Sequence, residues 1–497
     1  MIQSRRIGIA LTTFVLAVSS AAWAAGPDPA PAPTPDPAPQ AATPNTSTPA
    51  PSPLQFKLGE ATFTPVGFMD FTSVFRSAAS GSGIGTSFGS IPYNSTATAR
   101  LTEDRLSPQN SRIGMRVDAN VKGAHVIGYW ESDFLGTVPT NGTNASVSSN
   151  SYLMRLRLFW VDVKSGQFEM LGGQSWSLIT PGRKGISPLP GDIFYSQDID
   201  VNYNVGLTWG RIPQLRFVYH PSDTVAAAIS FENPDQYIGG SAGGGTITYP
   251  TSPANIATNY ANQLDNGALG SATTLPNELP DVIAKLAFDP KTGSTTQHIE
   301  IVGLERQFKV FNPAANANAG QYFHATGAGV GLNMNFALSK NFHFMTNNFF
   351  GDGAGRYFFG QAPDLIVRSD GSLSPVHNFG TVTGFEANPG PNTLIYAYYG
   401  DCYIGRNVTV DAAGKLVGYG FTGSGNGQNR NIQEGTFGLT QTIWKDAKYG
   451  ALSFMAQYAY YNRDPWYVAA NAPKDAHNST VFLNLRYTLP GSAPPAK

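Results

Sequence analysis

From Thr62 to Leu489 the stretches of patterned apolar residues are joined by connections that alternate strictly between short and long. The short ones centre on Lys122-Gly123, Lys164-Ser165-Gly166, Pro221-Ser222-Asp223, Pro290-Lys291-Thr292-Gly293, Ser339-Lys340-Asn341, Asn388-Pro389-Gly390 and Lys445-Asp446. The long ones, rich in Gly, Ser, Asn and Thr, run from Ser77 to Asn110, Thr137 to Ser151, Ile179 to Asn204, Asn233 to Leu279, Phe311 to Gln321, Asp352 to Pro375, Arg406 to Asn431 and Arg463 to Asn478. Fifteen connections join sixteen stretches, and both ends of the run fall on the short-turn side. An even strand count with short turns on one side and long loops on the other is the pattern of bacterial membrane barrels. A soluble sandwich has no reason to gather its long loops on one side. The predicted fold class is therefore all-β: a transmembrane antiparallel up-and-down β-barrel of sixteen strands, with long external loops and short periplasmic turns.

The stretches themselves carry the period of two that a pleated strand requires and a helix would scramble. In Arg112 to Val121, Arg112, Gly114, Arg116, Asp118 and Asn120 share one face, and Ile113, Met115, Val117, Ala119 and Val121 share the other. Between Leu153 and Val163 the same reading sends Met154, Leu156, Leu158 and Trp160 to lipid and Arg155 and Arg157 inward. Near the end, Leu452, Phe454, Ala456, Tyr458 and Tyr460 oppose Ser453 and Gln457, and Val481, Leu483, Leu485 and Tyr487 oppose Thr480, Asn484 and Arg486.

Ahead of the barrel, Arg5 and Arg6 precede an apolar run from Ile7 to Ala22 that ends in Ala22-Trp23-Ala24, the layout of an export signal. The chain thus divides into a signal peptide (1–24), a Pro/Ala-rich periplasmic linker (25–54) of extended polyproline character, the barrel (55–489) and a short tail (490–497). Beyond the signal no stretch approaches the roughly 18–20 consecutive apolar residues a membrane helix requires. Charged residues make up 13% and aromatics 12%, and the net charge of -1 gives no general attraction to nucleic acid. The single cysteine, Cys402, leaves no intrachain disulfide to stabilise the fold. The seven histidines show no metal-ligand spacing. Gly85-Thr86-Ser87-Phe88-Gly89 and Gly418-Tyr419-Gly420-Phe421-Thr422-Gly423 match enzyme motifs only as strings, since both lie in long loops without the strand-to-helix setting those motifs need. No catalytic, metal or cofactor site is expected.

A barrel of about sixteen strands encloses an aqueous lumen rather than a filled core. The inward parity assigns Arg112, Arg116, Arg155, Arg157 and Arg216 to a basic pore lining, and Glu131 and Asp133 to an acidic one on the neighbouring strand. Guanidinium groups grip carboxylates with paired hydrogen bonds and raise the local concentration of anions. They equally pair with lumenal acids to brace the wall. The third long loop carries Arg183, Lys184, Asp192, Asp198 and Asp200 with bulky Phe194 and Tyr195, and is the candidate constriction. Folded inward, its acids are expected to face the basic wall.

Gln109-Asn110-Ser111-Arg112-Ile113-Gly114-Met115-Arg116, Leu156-Arg157-Leu158-Phe159-Trp160-Val161, Gly173-Gln174-Ser175-Trp176-Ser177, Gly351-Asp352-Gly353-Ala354-Gly355-Arg356-Tyr357 and the closing Phe482-Leu483-Asn484-Leu485-Arg486-Tyr487, taken in order, resemble the DcaP-like trimeric outer-membrane porins. The resemblance implies a sixteen-stranded homotrimer in outer-membrane lipid that passes small hydrophilic solutes, organic anions such as dicarboxylates above all, without energy coupling. Members often carry a coiled-coil-like segment before the barrel, where this chain has its Pro-rich linker. Two other readings compete: an adhesion or structural barrel acting through its loops, and a barrel enzyme.

Overall fold

The computed structural model describes residues 52–136, 150, 152–193, 197–240, 244–252, 255–267, 275–313 and 320–491. The expected signal peptide, most of the expected linker, most of the second long loop, Phe194 and Tyr195, and most of the tail lie outside the described residues.

Sixteen long antiparallel strands form one sheet that closes on itself. They are β1 (Ala61–Arg76), β2 (Arg112–Val121), β3 (Ala124–Asp133), β4 (Arg155–Ser165), β5 (Phe168–Trp176), β6 (Arg211–Ser222), β7 (Val225–Glu232), β8 (Asp281–Phe288), β9 (His298–Asn312), β10 (Gln321–Ser339), β11 (Phe342–Asp352), β12 (His377–Gly390), β13 (Thr393–Ile404), β14 (Asn429–Asp446), β15 (Gly450–Pro465) and β16 (His477–Thr488). Each pairs with its sequence neighbours, and β1 closes the ring against β16 from Phe68↔Thr488 to Arg76↔Thr480. The seven predicted short turns and eight predicted long loops fall where the alternation placed them. Among the described residues no helix is long and apolar enough to cross a membrane.

The closing strand has to change partner on one side. Its first half pairs with β2 (Thr62↔Asp118 to Phe68↔Arg112), and its last five residues pair with the short strand Glu103–Ser107 of the first long loop. Gly67 stands at the join with φ 139°, and a Cβ there would lie 2.2 Å from the Arg112 carbonyl oxygen. Only glycine lets the two backbones approach so closely. In the gap that follows, the Asp70 N–H donates to Ser111 Oγ at 2.9 Å, so the join leaves no orphan donor there.

The pleat sorts the side chains as the period of two predicts. Met69, Phe71, Phe159, Phe217, Ile301, Phe350, Phe385, Phe437, Phe454 and Leu483 are all exposed, Phe159 to 62%. An apolar surface continuous around a barrel has lipid as its solvent. Aromatic contacts edge this band at both ends. Phe168 stacks on Tyr219 (5.1 Å) and Trp444 lies beside Tyr487 (6.1 Å) on the short-turn side, while Phe311 meets Tyr322 (4.8 Å) and Tyr403 meets Trp466 (6.1 Å) on the loop side.

One of the stretches read from the sequence departs from its expected alternation. Leu158 and Trp160, expected to face lipid, are buried inside, while Phe159 and Val161 face out. The cause is a bulge: Glu131 pairs with Leu158 and Ser132 with Leu156, leaving Arg157 unopposed. The extra residue flips the parity beyond it, so Arg157 and Leu158 both point inward.

Candidate lumenal site

The loop side of the barrel interior is not open water. Side chains from L1 (77–111), L3 (177–210), L4 (233–280), L6 (353–376) and L7 (405–428) pack into one apolar cluster that includes Phe88, Ile179, Tyr260, Tyr357, Leu365 and Tyr419. Arg306 of β9 holds this packing to the wall. Its guanidinium pairs with Asp281 (3.0 Å) and Asp364 (2.8 Å) and donates to the Asp235 carbonyl (2.6 Å), joining the wall to L4 and L6.

L3 crosses the lumen, and its anchors are legible one by one. Leu178 N–H donates to Glu232 (2.8 Å), Gly182 N–H to Glu300 (3.2 Å), Gly185 N–H to Asp289 (2.8 Å), Ile199 N–H to Gln457 (2.8 Å) and Val205 N–H to Glu434 (2.8 Å). Arg183 forks onto Glu386 of β12 at 2.6 and 2.9 Å with both partners buried. A loop that leaves β5 and bonds to β9, β12, β14 and β15 lies across the barrel.

On the short-turn side of L3 is a cavity of about 310 Å³. Its lining includes Phe68, Arg112, Tyr203, Asp198, Lys445 and Arg486, and it continues past the 388–394 and 445–451 turns to Gly491. Phe68 projects inward from β1 and carries two guanidinium groups on its ring, Arg486 at 4.1 Å and Arg112 at 5.0 Å from the centroid. The aromatic face offsets part of the cost of holding two like charges together.

The predicted basic residues divide into engaged and open ones. Arg157, 1% exposed, joins Glu131 (2.6 Å) and Asp133 (2.8 Å); Arg155 forks onto Asp133 (2.7 and 3.0 Å). Arg116 forks onto Asp118 of its own strand (2.7 and 2.8 Å), and Arg216 is buried, donating to Gln214 and to the Trp176 carbonyl. Arg112 is different: its nearest carboxylate oxygen, on Glu131, is 3.6 Å away, and its Nε has no partner. Arg486 spends its Nε on Asp70 (2.8 Å). Arg211, at the start of β6, lies over the rings of both Trp176 and Trp209, each 5.5 Å away, with Nη1 unpaired.

L3 sets Tyr203 against this arc, while Asp198 and Asp200 line the same cavity as Arg112 and Arg486. The Tyr203 hydroxyl lies 3.5 Å from Arg157, and its backbone takes φ 63° to reach that place. Burial works to raise the phenol, but Arg157, Arg112 and Arg211 outweigh it and hold it below its ordinary value. Of the other predicted loop residues, Lys184 is exposed, Asp192 is half-buried, and Asp200 accepts from Thr86 N–H (3.3 Å), Asn202 N–H (2.9 Å) and the Tyr461 hydroxyl (3.3 Å). Asp198 sits among carboxylates. Burial first, then Glu434, Asp200 and Glu386, push it well above the usual carboxylate range.

The loop-holding acids Glu232, Glu300, Glu386 and Glu434 and the open Arg211 carry no sequence expectation, and Arg486 is expected on the inward face of its strand but not among the pore-lining residues. All four acids lie in strands with inward parity, and that signal could have found them. Among the described residues no three His, Cys, Asp or Glu side chains gather as a metal site.

No family model and no curated protein matches the chain. Solved structures do. The outer membrane channel DcaP of Acinetobacter baumannii superposes with a TM-score of 0.59 at 17% identity, covering 87% of this chain and 99% of that one. This chain has the DcaP fold. OmpF of Salmonella typhi (TM-score 0.45, 10% identity, 87% of this chain and 100% of that one) and OprB of Pseudomonas putida (0.43, 11%, 85% and 94%) are more distant. The DcaP fold and an unbroken lipid-facing band between two aromatic rims together put the protein in the bacterial outer membrane, where barrels of this kind reside.

Proposed function

We propose that the protein is a porin: a passive diffusion channel for small hydrophilic solutes that favours organic anions such as dicarboxylates, exported by its signal peptide and working as a homotrimer. The observation that carries this reading is the cavity beneath L3, lined by Arg112 and Arg486, of which Arg112 meets Glu131 only at 3.6 Å with Nε unpaired and Arg486 meets Asp70 through Nε. Among the described residues the four wall arginines of this arc, Arg112, Arg155, Arg157 and Arg211, have two wall carboxylates among them, Glu131 and Asp133, so that stretch of wall keeps an excess of positive charge. Fixed charges of one sign in a narrow lumen raise the local concentration of the opposite ion and lower its barrier to passage. The remaining arginines brace the wall while adding to that field.

A structural or adhesive barrel is the second reading, and the apolar packing of five loops at the outer end is the observation in its favour. Swelling of protein-loaded liposomes separates the two. Isosmotic succinate is expected to swell them faster than a diamine of equal length. No swelling with either solute would overturn the porin reading, and faster entry of the diamine would overturn the anion preference.

A further inference from the structure

The cavity beneath L3 has a second pole. Asp198 lines it together with Arg112 and Arg486, and is 8% exposed. The carboxylates around Asp198 are all engaged. Asp200 accepts from two N–H groups and a tyrosine. Glu434 accepts from Val205 N–H and from Thr436, and Glu386 holds Arg183 and the Tyr398 hydroxyl. Neither oxygen of Asp198 has a hydrogen-bond partner among the described residues.

A buried carboxylate without a donor or a counterion is costly, and it is relieved in one of two ways: by a proton or by a cation. A cation entering from the short-turn side passes Arg112 and Arg486 first. A bare metal cation is repelled there, whereas a solute that carries its own carboxylate is held. That combination selects a molecule with an ammonium group at one end and a carboxylate at the other.

We propose that the cavity is a binding subsite for small zwitterions of the amino-acid or ω-aminocarboxylate class, with the carboxylate on Arg112 and Arg486 and the ammonium on Asp198. The inference rests on the channel reading and deepens it: the pore then favours anions by field but retains zwitterions by two-point contact. Phe68, between the two guanidinium groups, supports the aliphatic chain.

The test uses the mature full-length protein in planar bilayers, with 4-aminobutyrate and succinate as probes and the interruption of ion current as the readout of binding. In the wild type, 4-aminobutyrate interrupts the current. Asp198→Asn, which keeps the side-chain shape, weakens 4-aminobutyrate at least tenfold and does not weaken succinate, whose two carboxylates gain nothing from Asp198. Arg112→Gln weakens both. The inference is overturned if 4-aminobutyrate leaves a conducting wild-type channel uninterrupted, or if Asp198→Asn changes its affinity by less than twofold, as it will if a proton rather than an ammonium satisfies Asp198. A wild type with no conductance steps overturns the channel reading, and this inference with it.

Discussion

The wall from β2 to β6 and the wall from β9 to β15 are both charged, yet they use charge in opposite ways. On the first, acid and base come from adjacent strands: Glu131 and Asp133 of β3 meet Arg155 and Arg157 of β4 across one ladder. That pairing is local and leaves Arg112 and Arg211 over. On the second, the acids have few wall cations. Glu434 is satisfied by an L3 backbone N–H and Thr436; Glu386 is satisfied by Arg183 of L3 and by Tyr398. The acidic wall therefore holds the loop, and the basic wall is left to face the solute. A transverse field arises because one side's charges are spent on the loop's own groups and the other side's are not.

Removing the strongest loop tie is expected to have the largest effect. Arg183→Leu leaves Glu386 buried without its counter-charge, a loss of about 3–5 kcal/mol for a broken buried pair. Heat-modifiable migration in detergent should register lower stability, and single-channel records should show larger, noisier conductance as L3 loosens. An unchanged conductance would mean that L3 does not limit the pore.

The next effect is on selectivity. Arg112→Gln removes a guanidinium that meets a carboxylate only at 3.6 Å and shares that carboxylate with Arg157, and is expected to move the reversal potential in a KCl gradient clearly towards cation preference. Arg116→Gln removes one that Asp118 already neutralises and is expected to move it far less. Equal shifts would contradict the division into open and engaged arginines.

A pH-dependent difference follows from Asp198. Its folded value lies above that of an unfolded aspartate, so the folded protein binds the extra proton and loses stability as pH climbs from the ordinary carboxylate range through the raised value. Asp198→Asn lacks that loss. Its unfolding midpoint is expected to exceed the wild type's at neutral pH, and the two should converge in acid. Smallest of all is the stability cost of Arg116→Gln. The pair is about a third exposed on the arginine side, and such pairs are worth roughly 0.2–1 kcal/mol.

Strand number, turn positions and the inward parity of Arg112, Glu131 and Asp133 were legible because a one-residue pleat repeats through the sequence and needs no tertiary information. Leu158 and Trp160 were misread for a physical reason: a bulge shifts parity without leaving a mark in composition, and only the partner strand reveals that Arg157 has no opposite residue. L3 was legible as a charged loop able to enter the lumen, but not as one that sets Tyr203 against the arginines. That outcome depends on which wall offers acceptors to its N–H groups, and these come from strands more than a hundred residues away, as with Glu300 and Glu434. The apolar packing of five loops was also invisible, because Phe88, Ile179 and Tyr260 read singly as scattered apolar residues in Gly/Ser-rich segments.

Reconstitution of the purified protein into planar bilayers tests the central claim most directly. The account predicts discrete, ohmic conductance steps that carry chloride in preference to potassium. A barrel that inserts fully folded and gives no steps, its lumen sealed by the packed loops, would contradict it.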